Sequence, residues 1–431
     1  MIRIIEEKDS AQIDALLASR AVGVNAAVTE SVQEIIRQVQ LRGDEAVADF
    51  TRKFDGAAPD ALELTWQERE EGAAKADPRL VEALERAAQN IRSYHEEQRQ
   101  RSYIITRENG AIMGQRVRAL RRVGLYVPGG TASYPSSVLM NAIPAKVAGV
   151  PELIMTTPPG PDGSIAPHIL AAANIAGVDR IFRMGGAQAV AALALGTQTV
   201  PRVDKIVGPG NQYVATAKRL LFGTVDIDMI AGPSEILIVC DGSADPRLVA
   251  ADMMSQAEHD PMASSVVVCV SRQQAEEIEA EVQRQLATLS RREIITRSLE
   301  QFGALVVCDS MERALEMANR IAPEHLELMV EEPFRYLGQV ENAGSVFLGH
   351  HSPEPLGDYF AGPNHVLPTN GTARFFSPLS VDTFLKKSSY LCYTQEALAQ
   401  ASEDIVTLAR SEGLDAHANS ILVRMERKEN P

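Results

Sequence analysis

Between residues 117 and 234, short β-like runs alternate with alanine-rich helical stretches. The runs fall at 122–127, 152–157 (ELIMTT), 180–184 (RIFRM) and 205–207, each followed by glycine or proline and then a helix. Strands alternating with helices make a parallel sheet, because a parallel connection must cross over and a helix is the usual crossover. The same texture resumes at 235–240 (EILIVC), 264–270 (SSVVVCV) and 304–307, with longer predicted helices at 246–258 and 273–289. The expected fold class is therefore α/β: two Rossmann-like three-layer α/β units, divided near Ala231, Gly232 and Pro233. Ahead of them, apolar residues at three- and four-residue spacing predict one amphipathic helix over 31–54 and another over 78–99. Behind them, helical periodicity at 396–412 and 418–428 predicts a tail that needs a partner surface for burial. The expected division is an arm at 1–24, one α/β domain from 25–120 with 235–380, a second at 121–234, and a helical tail at 381–431.

At 431 residues the chain exceeds the size at which one hydrophobic core stops growing, so a cleft between packed units is available. With 42 basic against 57 acidic residues the formal net charge is -15, and no basic stripe offers itself to phosphates; nucleic-acid binding is not expected. Cys240, Cys269, Cys308 and Cys392 form no CxxC pair and read as buried small hydrophobes in a reducing compartment. Residues 1–10 lack the apolar core of a secretory signal, and the longest apolar stretches, such as 187–196, are too short to span a bilayer. No membrane association is expected, and the cytoplasm is the expected location.

Eight histidines are few enough to sort individually. His95 lies in a charged helix and His168 opens an alanine-rich one, so both read as structural; His350 and His351 fall in a Pro/Gly loop. In SQAEHD, Gln256 and His259 are three apart at a predicted helix end, which puts an amide oxygen and an imidazole on one face where both can meet one ion. A capping or core role fits the same spacing. The loop EPLGDYFAGPNHVLPT carries Asp358 and His365 between glycines and prolines; it reads as a site built on a restricted loop or as an Asx-turn with a surface histidine. In EGLDAHAN, Glu412 and His417 flank a break between two predicted helices. In APEHLEL, Pro323 suggests that Glu324 and His325 occupy the first turn of a helix, as a pair of bases or, for Glu324, as a charge favoured at a helix N-terminus. GLYVPGG (124–130), MGGAQA (184–189) and VGPGN (207–211) each stand between a predicted strand and helix, where backbone N–H groups receive phosphates. None completes a dinucleotide fingerprint, so nucleotide binding stays open at this level.

As phrases these signals are specific. GLYVPGGTASYPSSVLMNAIPAKVAGV, VGPGNQYVATAKR, IAGPSEILI, SQAEHD, APEHLEL, GDYFAGPNHVLPT and EGLDAHANS together resemble the histidinol dehydrogenases, from about residue 30 to 425. The resemblance implies an NAD-dependent enzyme that oxidises L-histidinol through L-histidinal to L-histidine, reducing two NAD. It implies one zinc per active site, held by Gln256, His259, Asp358 and His417. Glu324 would activate the water that adds to the aldehyde, and His325 would take protons during the oxidations. Ser234, His365 and Glu412 would contact substrate together with His325 and the metal ligands; Tyr126, Gln188 and Asn211 would contact NAD. The family pattern further implies that 121–234 binds NAD, that the other α/β domain carries the metal and catalytic residues, and that a homodimer shares its sites through the tail. Zinc, being redox-inert, suits a role in orienting substrate, so hydride must go to a cofactor. The competing readings are a related zinc- and NAD-dependent dehydrogenase of another amino- or sulfo-alcohol, a zinc hydrolase with Glu324 as base, and a zinc-stabilised scaffold.

Overall fold

The computed structural model describes residues 2–20, 25–57, 61–129 and 134–426. Gly130 of the first glycine-rich turn, residues 21–24 of the expected arm and the end of the predicted helix at 427–428 lie outside them. Two compact units are present: one comprises Met1–Arg99 with Leu120–Phe384, the other Gln100–Ala119 with Leu385–Pro431.

The larger unit holds two sheets, each with every pairing parallel. One has six strands in the order Arg3–Glu6, Ala304–Val307, Ser264–Cys269, Glu235–Cys240, His325–Met329 and Ser345–Leu348. Its central runs EILIVC and SSVVVC are buried at every position, as a strand covered on both faces must be. Alternate residues serve opposite layers. Ile236, Ile238, Val267 and Cys269 share a core with Val249, Met253, Ile278 and Ile295, whereas Leu237, Val239, Val266 and Val268 pack with Ile13, Leu16, Leu315 and Ile321. The helix Pro246–Ala257 starts where the sequence says it should, with proline in its first turn and Asp245 accepting from the Arg247 N–H.

The other sheet has five strands, ordered Arg180–Arg183, Glu152–Thr157, Arg122–Tyr126, Lys205–Val207 and Asp226–Ile227. Together the two sheets give the expected pair of three-layer α/β arrangements. Val28, Val32, Ile35, Val39, Ala46 and Val47 cover the five-stranded sheet beside Ala187–Ala194 of the helix Gly186–Leu195. The single helix expected at 31–54 is two, Ala26–Arg42 and Asp44–Asp55, broken at Gly43 with φ 58°. A side chain there would meet the Gln198 Oε1 at 2.1 Å, and that oxygen accepts from the Asp44 N–H at 2.8 Å, so tertiary packing turns the chain where the periodicity runs on.

The smaller unit is an antiparallel sheet, Leu385–Cys392 against Ile112–Ala119 against Tyr103–Thr106, followed by helices Gln395–Ser411 and Asp415–Met425. Those helices meet around Val406, Ala409 and Ala418, with Gly413 at φ 72° in the turn between them. Cys240, Cys269 and Cys308 are buried as expected; Cys392, at the end of its strand, is exposed. Among the described residues no helix is long and apolar enough to cross a membrane.

The turn after Lys205–Val207 passes very close to the end of Arg122–Tyr126: at Gly208, φ 109°, an added Cβ would lie 2.1 Å from the Tyr126 carbonyl oxygen. Gly208→Ala should therefore destabilise by roughly 3 kcal/mol or more, whereas Gly149→Ala should cost only about 1 kcal/mol for its left-handed backbone. Gly149 (φ 88°) has nothing within 4 Å of the added carbon. Urea unfolding of the two variants checks the difference, and equal losses would contradict the close approach.

Candidate active site

Glu324 and His325 do not open a helix. The helix Met311–Ile321 ends at Ala322 in the left-handed conformation (φ 51°), Pro323 prevents its continuation, and His325 begins the strand His325–Met329. The alternation Leu326, Leu328, both fully buried, satisfies a strand paired on both sides, and this overrides the helix-start signal of proline. Both side chains therefore lie at the amino edge of the six-stranded sheet. The main chain of Glu235 holds them: its N–H donates to Glu324 Oε2 at 2.8 Å, and its carbonyl accepts from His325 Nδ1 at 3.0 Å. With its Nδ1–H on that carbonyl, His325 directs Nε2 away from it; Nε2 is buried with no hydrogen-bond partner and lies 3.6 Å from Asp358 Oδ1. Burial pushes Glu324 up to about 8, against the opposing pull of His325. Burial works against the His325 cation, yet Glu324 and Asp358 outweigh it and raise the imidazole to about 10. Charge that neutralises those carboxylates lowers that value and frees Nε2 to accept a proton.

Beside this pair, His259, Glu354 and Asp358 bring one ligand atom each within 4.8 Å of one another. His259 Nδ1 contacts the Ser255 carbonyl at 3.0 Å, which leaves Nε2 as the nitrogen that could meet a cation. Three residues earlier, Gln256 is fully buried with both amide atoms lacking a partner. An orphaned buried amide is costly unless something absent from the chain satisfies it, and a cation on the amide oxygen would do so. The nitrogen-and-oxygen donor set also fits zinc. Glu354 is the member that the sequence reading missed. The stretch read as loop contains the short helix Glu354–Tyr359, whose four-residue spacing stacks Glu354 and Asp358 on one face. Burial and the neighbouring Asp358 lift Glu354 to about 9, while the His325 and His365 imidazoles hold Asp358 below the usual carboxylate range despite its burial.

His365 ties this cluster to the other sheet. Its Nδ1 contacts the Asp358 carbonyl at 2.9 Å and its Nε2 contacts Ser137 Oγ at 3.2 Å, on the helix Pro135–Ala148 that follows strand Arg122–Tyr126. Ser234, partly buried, immediately precedes Glu235. At the carboxyl ends of the five-stranded sheet, the buried Tyr126 hydroxyl accepts from the Gly186 N–H at 3.0 Å, and Gln188, 1 % exposed, has both amide atoms unpartnered. Asn211, exposed, spends its side-chain oxygen capping the helix Gln212–Leu221 at the Tyr213 and Val214 N–H groups. Among the described residues, Gln256 and Gln188 each have both side-chain amide atoms buried and unpartnered. Glu412 and His417 belong to the smaller unit, where both are exposed. His95 is the structural histidine expected, fully buried with Nδ1 on Gln98 Oε1 at 2.7 Å.

The comparisons with known proteins agree on one family. The family model described as histidinol dehydrogenase matches residues 18–425. A histidinol dehydrogenase of Clostridium acetobutylicum is 54 % identical over 428 residues, 99 % of each chain. One of Geobacter sulfurreducens is 53 % identical over 431 residues, 99 % of this chain and 100 % of the other. The crystal structure of histidinol dehydrogenase from Elizabethkingia anophelis superposes with a TM-score of 0.93 at 36 % identity, covering 98 % of both chains. With a family model matching most of the chain and relatives of that identity and coverage, the chain belongs to the histidinol dehydrogenase family.

Proposed function

We propose that the chain carries out its family's reaction, oxidising L-histidinol through L-histidinal to L-histidine with reduction of two NAD, the last step of histidine biosynthesis, with the site residues in the roles below. By family it is an NAD-dependent oxidoreductase of amino-acid biosynthesis. The observation that carries the finer reading is the buried Glu324–His325 pair, held on one main-chain segment within reach of the His259, Glu354 and Asp358 cluster. Residues 121–234 supply the cofactor site, and 235–380 the metal and catalytic residues.

When bound, zinc supplies a redox-inert centre that orients the imidazole and amine of the substrate, and NAD supplies the hydride acceptor. Gln256, His259 and Asp358 hold the metal, with His417 as fourth ligand. His325 Nε2, unpartnered and aimed at the cluster, takes the hydroxyl proton in each oxidation. Glu324, with Oε2 fixed by the Glu235 N–H, takes the proton of the water that adds to the aldehyde. Ser234, His365 and Glu412 contact substrate, and an acidic, water-poor site favours its cationic amine. Tyr126, Gln188 and Asn211 contact NAD.

His417 and Glu412 reach the site from the partner subunit of a homodimer. Supporting this, the smaller unit exposes Ile104, Ile105, Leu391, Leu408, Leu414 and Val423, a concentration of apolar surface that a lone unit of that size has reason to cover. The location that fits a biosynthetic enzyme using NAD is the cytoplasm.

Incubation with histidinol and NAD tests the reaction: two NADH per histidinol are expected, and none would overturn it. Glu324→Gln should slow histidinal oxidation by ~100-fold or more while slowing histidinol oxidation far less. With burial raising Glu324, the histidinal half-reaction should rise with pH through a value above the ordinary carboxylate range and level off beyond it, a dependence that Glu324→Gln removes. His259→Asn should lose bound zinc and activity together, as measured by metal analysis of the purified protein. Mixed with His417→Asn, it should regain up to about a quarter of wild-type activity, since half the dimers are heterodimers with one intact site each. No recovery after subunit exchange would place His417 in its own chain's site.

A further inference from the structure

Behind the catalytic pair lies an ion pair that touches neither metal ligand nor cofactor turn. Glu235 opens the strand Glu235–Cys240 and is 3 % exposed. Its carboxylate is pinned on both oxygens: Oε2 by the Arg20 guanidinium, and Oε1 by the Asn370 N–H at 3.0 Å. Arg20 and Glu235 have side chains only 6 % and 4 % exposed. Arg20, at the C-terminal cap of the helix Ser10–Ser19, makes a second bond, from Nη1 to the Ile321 carbonyl at 2.9 Å. Ile321 is the last residue of the helix that leads, through the left-handed Ala322 and Pro323, directly into Glu324 and His325.

One guanidinium thus grips the start of one strand and the helix end that leads into the other. Through Glu235 it fixes the main-chain N–H and C=O that hold Glu324 Oε2 and His325 Nδ1. Through Ile321 it fixes the backbone from which those two side chains project. Fold stability gives little reason for the pair, because a buried ion pair is often no more stable than apolar residues of the same volume. Geometry gives a better one: a base displaced by an ångström loses much of its rate, and second contacts that lock the holder of a catalytic group are what prevents displacement.

We propose that Arg20 and Glu235 are positioning residues for the catalytic Glu324–His325 pair, setting from the N-terminal helical layer the geometry in which both bases work. The proposal rests on the reading of Glu324 and His325 as those bases.

The experiment compares Arg20→Ala, Arg20→Lys and the apolar double variant Arg20→Met/Glu235→Leu in the full-length, zinc-loaded enzyme, with kcat expressed per folded protein. Arg20→Ala should lower kcat about tenfold in both half-reactions, with KM for NAD changed less than twofold. Arg20→Lys, which keeps the charge, should retain several times more kcat than the alanine variant. The double variant should recover the Tm that Arg20→Ala loses and yet keep the low kcat, because packing is restored while the grip is not. Recovery of kcat along with Tm in the double variant, or unchanged kcat in all three, would overturn the proposal. Glu324→Gln and His325→Asn serve as controls. If they lose activity while the Arg20 variants do not, only the positioning role falls; if they keep it, the catalytic assignment falls and the proposal with it.

Discussion

Glu324, Glu327, Glu354 and Asp358 are drawn into one poorly solvated neighbourhood at the edge of the six-stranded sheet, and the rest of the site answers to their charge. Burial raises Glu324 to about 8, Glu354 to about 9 and Glu327 well above the carboxylate range, with Asp252 adding its own repulsion to Glu327. Such a concentration persists because each member is held. The Glu354 N–H donates to Glu327 Oε1 at 2.7 Å, the Glu235 N–H donates to Glu324, and Asp358 faces two imidazoles. The C-terminal end of the helix Pro246–Ala257 points its partial negative charge the same way, with two of its carbonyls on the His259 ring. A region of this sign would favour a cation, and the Gln256 amide, buried and unpartnered, lies three residues before His259.

The two sheets divide the work by their ends. The glycine-rich turns and the orphaned Gln188 occupy the carboxyl ends of the five-stranded sheet, where open α/β sheets ordinarily take nucleotides. The Glu324–His325 pair occupies the amino edge of the six-stranded sheet, where helix C-termini rather than N-termini gather. Helix N-termini would favour anions, whereas the negative ends of helices and the carboxylates gathered here would favour a cation. His365, bonded to the Asp358 carbonyl at one nitrogen and to Ser137 at the other, spans the two halves.

Much of this was legible from the residues. The strands at 152–157, 205–207, 235–240 and 304–307 coincide with the runs read from the sequence, because a strand buried on both faces is apolar over most of its length. Gln256 and His259 were visible through helical spacing. Glu354 was not, because the helix that pairs it with Asp358 is too short and too rich in proline and glycine to show a period. Glu324 and His325 were read onto a helix because proline signals a helix start locally, whereas their strand exists only through its two neighbours.

By itself the sequence determined the alternation of strand and helix, the apolar faces, the caps and turns, and the family phrases, all of which depend on neighbours a few residues apart. Only the tertiary structure decided which sheet the helices at 26–55 cover, how Arg20 reaches Glu235 across 215 positions, and that the main chain of Glu235 holds both Glu324 and His325. Those are contacts between segments remote in the chain, fixed by packing and by the need to pair buried charge, and no local pattern encodes them.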